Sequence, residues 1–234
     1  MNPIIIRIPF TQSNDIISDM YVITLGKKER IDNIKKQEKI MNNKIKIFKG
    51  VNGIKLNIND LIKKNILDKN YKLSNKINEV KRQIGCYLNH LNIYKKIKKD
   101  NKKGYTIIFE DDLTLNSSNF INDTKKVIYT LNNKNIDFDF LYLGNTRNNY
   151  GKHIIENIYY VNPTQYLFGT YGYIVNNKNI DKIISKLDKI ISPIDIIIQN
   201  LTYNNIFNTI VIYPNMVKYN KSFESTINTN DTNI

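Results

Sequence analysis

Short apolar runs alternate along this chain with lysine-rich stretches in which apolar side chains recur every three or four positions. Runs at 20–25, 44–48, 105–109, 138–143, 171–175 and 208–213 have the length and β-branched content of buried strands. Between them, 29–41 carries Ile31, Ile34 and Ile40 among lysines and predicts a helix, and 82–99 carries Ile84, Leu88, Leu91, Tyr94 and Ile97 on one helical face. Further helices are predicted over 58–65, from a Ser117-Ser118 cap to 131, over 176–188, and from Pro193 to about 201. Strands that alternate with helices predict an α/β fold, a mostly parallel sheet flanked by helices.

The run Tyr105-Thr106-Ile107-Ile108-Phe109 changes this picture from architecture to chemistry, because it ends in Glu110-Asp111-Asp112. A strand apolar on both faces is built for a sheet interior. The carboxyl end of such a strand is where open α/β sheets bind ligands. Three adjacent acids repel one another, so a cation is expected among them. Mg²⁺ or Mn²⁺ fits, since either takes one or two protein carboxylates and leaves positions for phosphate. The plain alternative is a strand that ends in a solvated acidic turn.

Length and composition add bounds. The 234 residues suit one domain, expected at 20–219, with a lead-in at 1–19 and a polar tail at 220–234. Lys and Arg number 35 against 21 Asp and Glu, a net charge of +14. Such a balance attracts polyanions and anionic surfaces. The basic residues are nearly all lysine, however, and are spread over the helices, while Asn and Ile are equally favoured and Trp is absent. We read the charge as compositional bias and expect no nucleic-acid partner. The single cysteine, Cys86, excludes an intrachain disulfide. No run of about 18 apolar residues is present, and 3–10 is too short and interrupted for a signal peptide. A cytoplasmic location is expected.

Several blocks, in order, resemble glycosyltransferase family 25, the bacterial lipopolysaccharide and collagen-galactosyltransferase relatives. Tyr21-Val22-Ile23-Thr24-Leu25 with Lys28, Glu29 and Arg30 is similar to the family's opening strand and following arginine. Gly50-Val51-Asn52-Gly53 is similar to its A-x-D-G turn, with Asn52 in place of Asp. Gly85-Cys86-Tyr87-Leu88-Asn89-His90 is similar to its G-C-x-x-S-H helix, with Asn89 in place of Ser. Glu110-Asp111-Asp112, Gly169-Thr170-Tyr171-Gly172-Tyr173 and Pro193-Ile194-Asp195 complete the set, which spans 20–195.

The resemblance implies a GT-A-like (Rossmann-like) fold and metal-dependent transfer of a hexose from a UDP-sugar, with inversion, to a hydroxyl of a glycan or protein. It implies Glu110 and Asp112 at a Mn²⁺ or Mg²⁺ ion, Asp112 as direct ligand, Glu110 through water or on the ribose, and Asp111 as support for the loop. Thr24, Leu25, Arg30, Gly169 and Thr170 are the further expected donor-binding positions. Arg30 would meet the diphosphate or base; otherwise it is an exposed helix arginine. Asp195 is the expected general base, its alternative being a charge partner for a helix N-terminus. His90 is expected to shape the site, His153 to lie at the surface, and Cys86 to be a small core residue.

Other readings stand beside this one. Residues 107–114 nearly match the haloacid-dehalogenase phosphatase signature, but Glu110 occupies the position of its Asp nucleophile. A basic nucleic-acid-binding protein would not need a buried strand ending in acids. An inactive relative of the fold is the third alternative, since Asn52 and Asn89 depart from the family pattern.

Overall fold

The first buried run forms β1 (Ile17–Thr24) in a computed structural model that describes residues 16–71, 76–146, 149–162, 164, 165, 167 and 169–223. It starts three residues before the predicted boundary, so 17–19 belong to the sheet rather than to a lead-in. The lysine-rich amphipathic stretch becomes α1 (Lys28–Met41), which ends where Asn42 takes the left-handed conformation. Next come β2 (Lys46–Lys49), a 3₁₀ turn at Gly53–Lys55, and the short α2 (Ile58–Lys63).

The long α3 (Ile77–Lys99) leads into β3 (Tyr105–Glu110). After the acidic turn, β4 (Leu113–Leu115) precedes α4 (Phe120–Asn133). Ser117 and Ser118 do not cap α4; the cap position is Asn119, whose own N–H donates to Ser117 Oγ in the preceding turn. Beyond it lie β5 (Phe140–Tyr142), β6 (His153–Ile155), β7 (Ile158–Tyr160) and β8 (Gly172–Asn176). The 3₁₀ turn Asn177–Asn179, α5 (Ile180–Leu187), α6 (Ile194–Tyr203), β9 (Thr209–Ile212) and β10 (Val217–Tyr219) follow.

Eight strands form one sheet in the order β2-β1-β3-β8-β5-β9-β7-β6, and β4 pairs with β10 in a separate ribbon. Strands β1, β2, β3, β5, β6 and β9 point one way; β7 and β8 run against them. The fold is therefore α/β, with a sheet of predominantly one direction flanked by helices, consistent with a GT-A-like architecture.

Alternation along each strand divides the core into two layers. Tyr21, Ile23, Ile108, Phe140, Tyr142, Tyr173 and Val175 pack against α3, α5 and α6. Met20, Val22, Ile107, Phe109, Leu141 and Ile174 pack on the other face with side chains of α1 and α4. Because β3 is covered on both sides, Ile107, Ile108 and Phe109 are wholly buried, and Glu110 is the first residue of the strand to reach the edge of the core. Among the described residues, no helix is long and apolar enough to cross a membrane.

Candidate active site

The parallel register of β1 and β3 sets Ile23 beside Glu110, so Thr24 and Leu25 leave the sheet next to the acidic turn. The Thr24 hydroxyl accepts from Gly26 N–H at 3.0 Å and also supports the Asp111 carboxylate. Leu25 is 44% exposed beyond the strand end. Helix α1 starts from the same edge and carries Arg30 back over the acids.

Arg30 is not an exposed helix arginine: it is 5% exposed, with Nη1 3.2 Å from Asp111 Oδ1 and 3.5 Å from Asp112 Oδ2. Its guanidinium is also 4.4 Å from the centre of the Phe223 ring. Asn220 N–H donates to the Asp112 carbonyl at 2.6 Å. The boundary expected at 219/220 thus cuts off two residues that close over the site, while 224–234 lie outside the described residues.

Two buried polar residues that pattern reading missed fix the turn from below. Asn33 Nδ2 donates to the carbonyls of Asp111 and Leu113, each at 3.0 Å, and Gln37 Oε1 accepts from Leu115 N–H at 3.0 Å. They occur at i and i+4 on α1 and are joined by a hydrogen bond of 3.2 Å. A polar pair on the face that should be apolar was their signal.

The three carboxylates stand in different fields. Glu110 is exposed to burial, which pushes its carboxyl up, but His90, the Thr170 hydroxyl and Arg30 together outweigh burial and hold it below its ordinary value. Thr170 Oγ1 donates to Glu110 Oε1 at 2.5 Å. Burial raises the Asp111 carboxyl against the pull of Thr24 and Arg30. Burial, then the Glu110 charge, pushes Asp112 up to about 7 in spite of Arg30. Asp112 Oδ1 is buried without a hydrogen-bond partner. An orphaned carboxylate oxygen beside two other acids fits a divalent cation. Glu110, Asp111 and Asp112 do not bring three ligand atoms together. A cation here would therefore take one or two carboxylates and complete its shell with water or phosphate.

Asp195 sits in the first turn of α6, after Pro193. Its Oδ1 accepts from Ile196 N–H at 2.9 Å, and the carboxylate also accepts from Gly169 N–H. Burial, and after it the charge of Glu110, raises its carboxyl. Gly169 has φ +93°, open to glycine at little cost, and a Cβ there would meet the Tyr171 ring at 2.7 Å. The segment 169–170 thereby joins Asp195 to Glu110: the Gly169 amide serves one and the Thr170 hydroxyl the other.

His90 is fully buried at the foot of the site, with Nδ1 2.7 Å from Tyr173 Oη, which lies 2.7 Å from Tyr94 Oη. His153 is exposed on β6, as expected. The two residues that depart from the expected pattern have plain tasks. Asn52 Oδ1 accepts from Ile54 N–H at 3.1 Å and starts the 3₁₀ turn, and Asn89 Oδ1 accepts from Val51 N–H at 2.5 Å, tying that turn to α3.

The family model described as Glycosyltransferase family 25 (LPS biosynthesis protein) matches residues 17–198, from the start of β1 into α6. No curated protein matches this sequence.

Proposed function

The chain belongs to glycosyltransferase family 25, and on that premise we propose that it moves a hexose, glucose or galactose, from a UDP-sugar to a hydroxyl of a glycan or protein, with inversion and with Mn²⁺ or Mg²⁺. The observation that carries the metal-dependent reading is the buried, unpartnered Asp112 Oδ1 within an acidic triplet at the carboxyl end of β3. Asp112 would hold the ion directly and Glu110 through water or on the ribose. Bound there, the ion would neutralise the charge that gathers on the departing diphosphate.

The protein's own groups supply positioning and proton transfer. Arg30 screens Asp111 and Asp112 from each other and holds the turn against α1, so the triplet is assembled before any donor arrives. Thr170 fixes one Glu110 oxygen, and Thr24, Leu25 and Gly169 line the strand ends where the donor would lie. Asp195 would take the proton of the acceptor hydroxyl as its oxygen bonds to the anomeric carbon and the bond from that carbon to the diphosphate breaks. A carboxyl raised by burial is a stronger base than a solvated one, which favours this role over a helix-terminal charge partner. A cytoplasmic acceptor belongs to the same proposal.

Calorimetric titration of UDP, with and without Mn²⁺, tests the reading on wild type and Asp112→Ala. Binding is expected only with Mn²⁺ and only in wild type. Metal-independent binding in both would remove Asp112 as ligand, and no binding under any condition would favour an inactive relative.

A further inference from the structure

Cys86 and Glu110 meet at the buried ring of His90, in a cluster whose thiol the transfer chemistry leaves without a task. Cys86 and His90 are four residues apart on α3 and share one face of it, while Glu110 ends β3 opposite them. One ligand atom from each lies within 4.8 Å of the other two. His90 Nε2 has no hydrogen-bond partner, although the side chain is wholly buried. It lies 3.5 Å from Glu110 Oε1.

The kinds of atom decide what fits between them. Zinc holds sulfur at about 2.3 Å and nitrogen or oxygen at about 2.0–2.2 Å in a tetrahedron, which separates ligand atoms by roughly 3.3–3.7 Å. The His90–Glu110 separation of 3.5 Å already has that value. Thiolate and imidazole favour Zn²⁺ over the oxygen-seeking Mg²⁺ and Mn²⁺. On the far side of the ring, the Tyr173 hydroxyl meets Nδ1, and the Tyr94 hydroxyl supports Tyr173. With Nδ1–H donating to the Tyr173 hydroxyl, such an outer contact would fix the ring and leave the lone pair of Nε2 facing the cluster.

We infer that Cys86 Sγ, His90 Nε2 and Glu110 Oε1 form a three-ligand site for a thiophilic divalent cation, Zn²⁺ foremost, distinct from the oxygen-ligand position at Asp112. On binding, the Cys86 thiol releases its proton to solvent and its sulfur bonds to the ion. Glu110 belongs to both sites, so zinc also withdraws it from the donor. That inhibitory consequence rests on the donor site proposed above; binding of the ion does not.

The test titrates the metal-free full-length protein with Co²⁺ as a spectroscopic substitute, then with Zn²⁺. One equivalent of Co²⁺ should give a thiolate-to-cobalt charge-transfer band, displaced by Zn²⁺ and not by Mg²⁺. Cys86→Ser should fold with an unchanged circular-dichroism spectrum, lose the band, and bind Zn²⁺ at least about tenfold more weakly. Glu110→Gln should keep the band with weaker affinity. No band in folded wild type, or equal zinc affinity in Cys86→Ser, overturns the site. UDP titration of the zinc-free protein reads the donor site separately: a protein that binds zinc here but never UDP keeps this inference and loses the transferase chemistry.

Discussion

Arg30 Nη1 stands 3.2 Å from Asp111 Oδ1, a nearly buried ion pair that links the first turn of α1 to the turn after β3. The same nitrogen reaches Asp112 at 3.5 Å, so one guanidinium is the fixed countercharge for two of the three acids. This explains how an acidic triplet can sit at the edge of a dry core while its charges remain in part unneutralised.

Removing that countercharge should be expensive. Arg30→Gln leaves two half-buried carboxylates facing each other, and the expected loss of stability is roughly 3 kcal/mol. A divalent cation would restore part of it, so Mn²⁺ should raise the melting temperature of the variant more than that of wild type. Equal melting temperatures without metal would show that the pair contributes nothing.

Asp195→Asn keeps the side chain's shape and its contact with Ile196 but takes away the proton acceptor. UDP affinity should stay within about twofold, while transfer to an acceptor falls by roughly two orders of magnitude or more. Full transfer with a screened donor and acceptor would remove Asp195 from the chemistry.

Asp19 contributes to acid stability at the other end of the sheet. Its carboxylate is almost wholly buried and paired with Lys46 and Lys102. Burial alone would raise it, but the two lysines overcome burial and hold it below the usual aspartate value. A depressed folded-state value means the group binds fewer protons folded than unfolded. Its contribution is therefore complete above the ordinary aspartate range near 4 and is lost as pH falls below it. Urea unfolding should show wild type losing stability there and Asp19→Asn losing less. Parallel curves for the two proteins would contradict the pairing.

Gly53 and Gly85 should resist alanine. A Cβ on Gly85 would come within 2.7 Å of Gly53 Cα, and one on Gly53 within 2.1 Å of the Lys81 carbonyl. Both obstacles are backbone, so α3 would have to move off the 50–53 turn. Glycine to alanine in an open helix stabilises by about 1 kcal/mol; Gly85→Ala should instead destabilise by about 1–3 kcal/mol. Chemical denaturation gives the sign directly.

Much of this protein is legible as sequence. The apolar runs and helical periodicities located β1, β3, β8, β9 and the long helices to within a few residues, because burial of such segments depends mainly on their own pattern. Two devices escaped: the β4–β10 ribbon and the β6–β7 hairpin. Their strands are three residues each, too short for a period to register, and they exist because their partners are brought to them. The acidic triplet was likewise visible from its position after a buried strand, and the ordered blocks marked Arg30, Thr170 and Asp195 as companions.

Sequence by itself thus determined the α/β layering, the edge at which chemistry would gather, and the family to which the blocks belong. Only the tertiary structure decided how those residues divide the work. Strand order placed Thr24 beside Asp111, the entry of α1 turned Arg30 inward as countercharge, and the approach of Gly85 to Gly53 seated α3 in the layer that carries His90 to Glu110. These relations join residues up to 87 positions apart in the chain, as between Thr24 and Asp111, with Arg30 81 positions from the same acid. Local pattern reports whether a residue is buried; which distant group meets it there depends on how the elements pack.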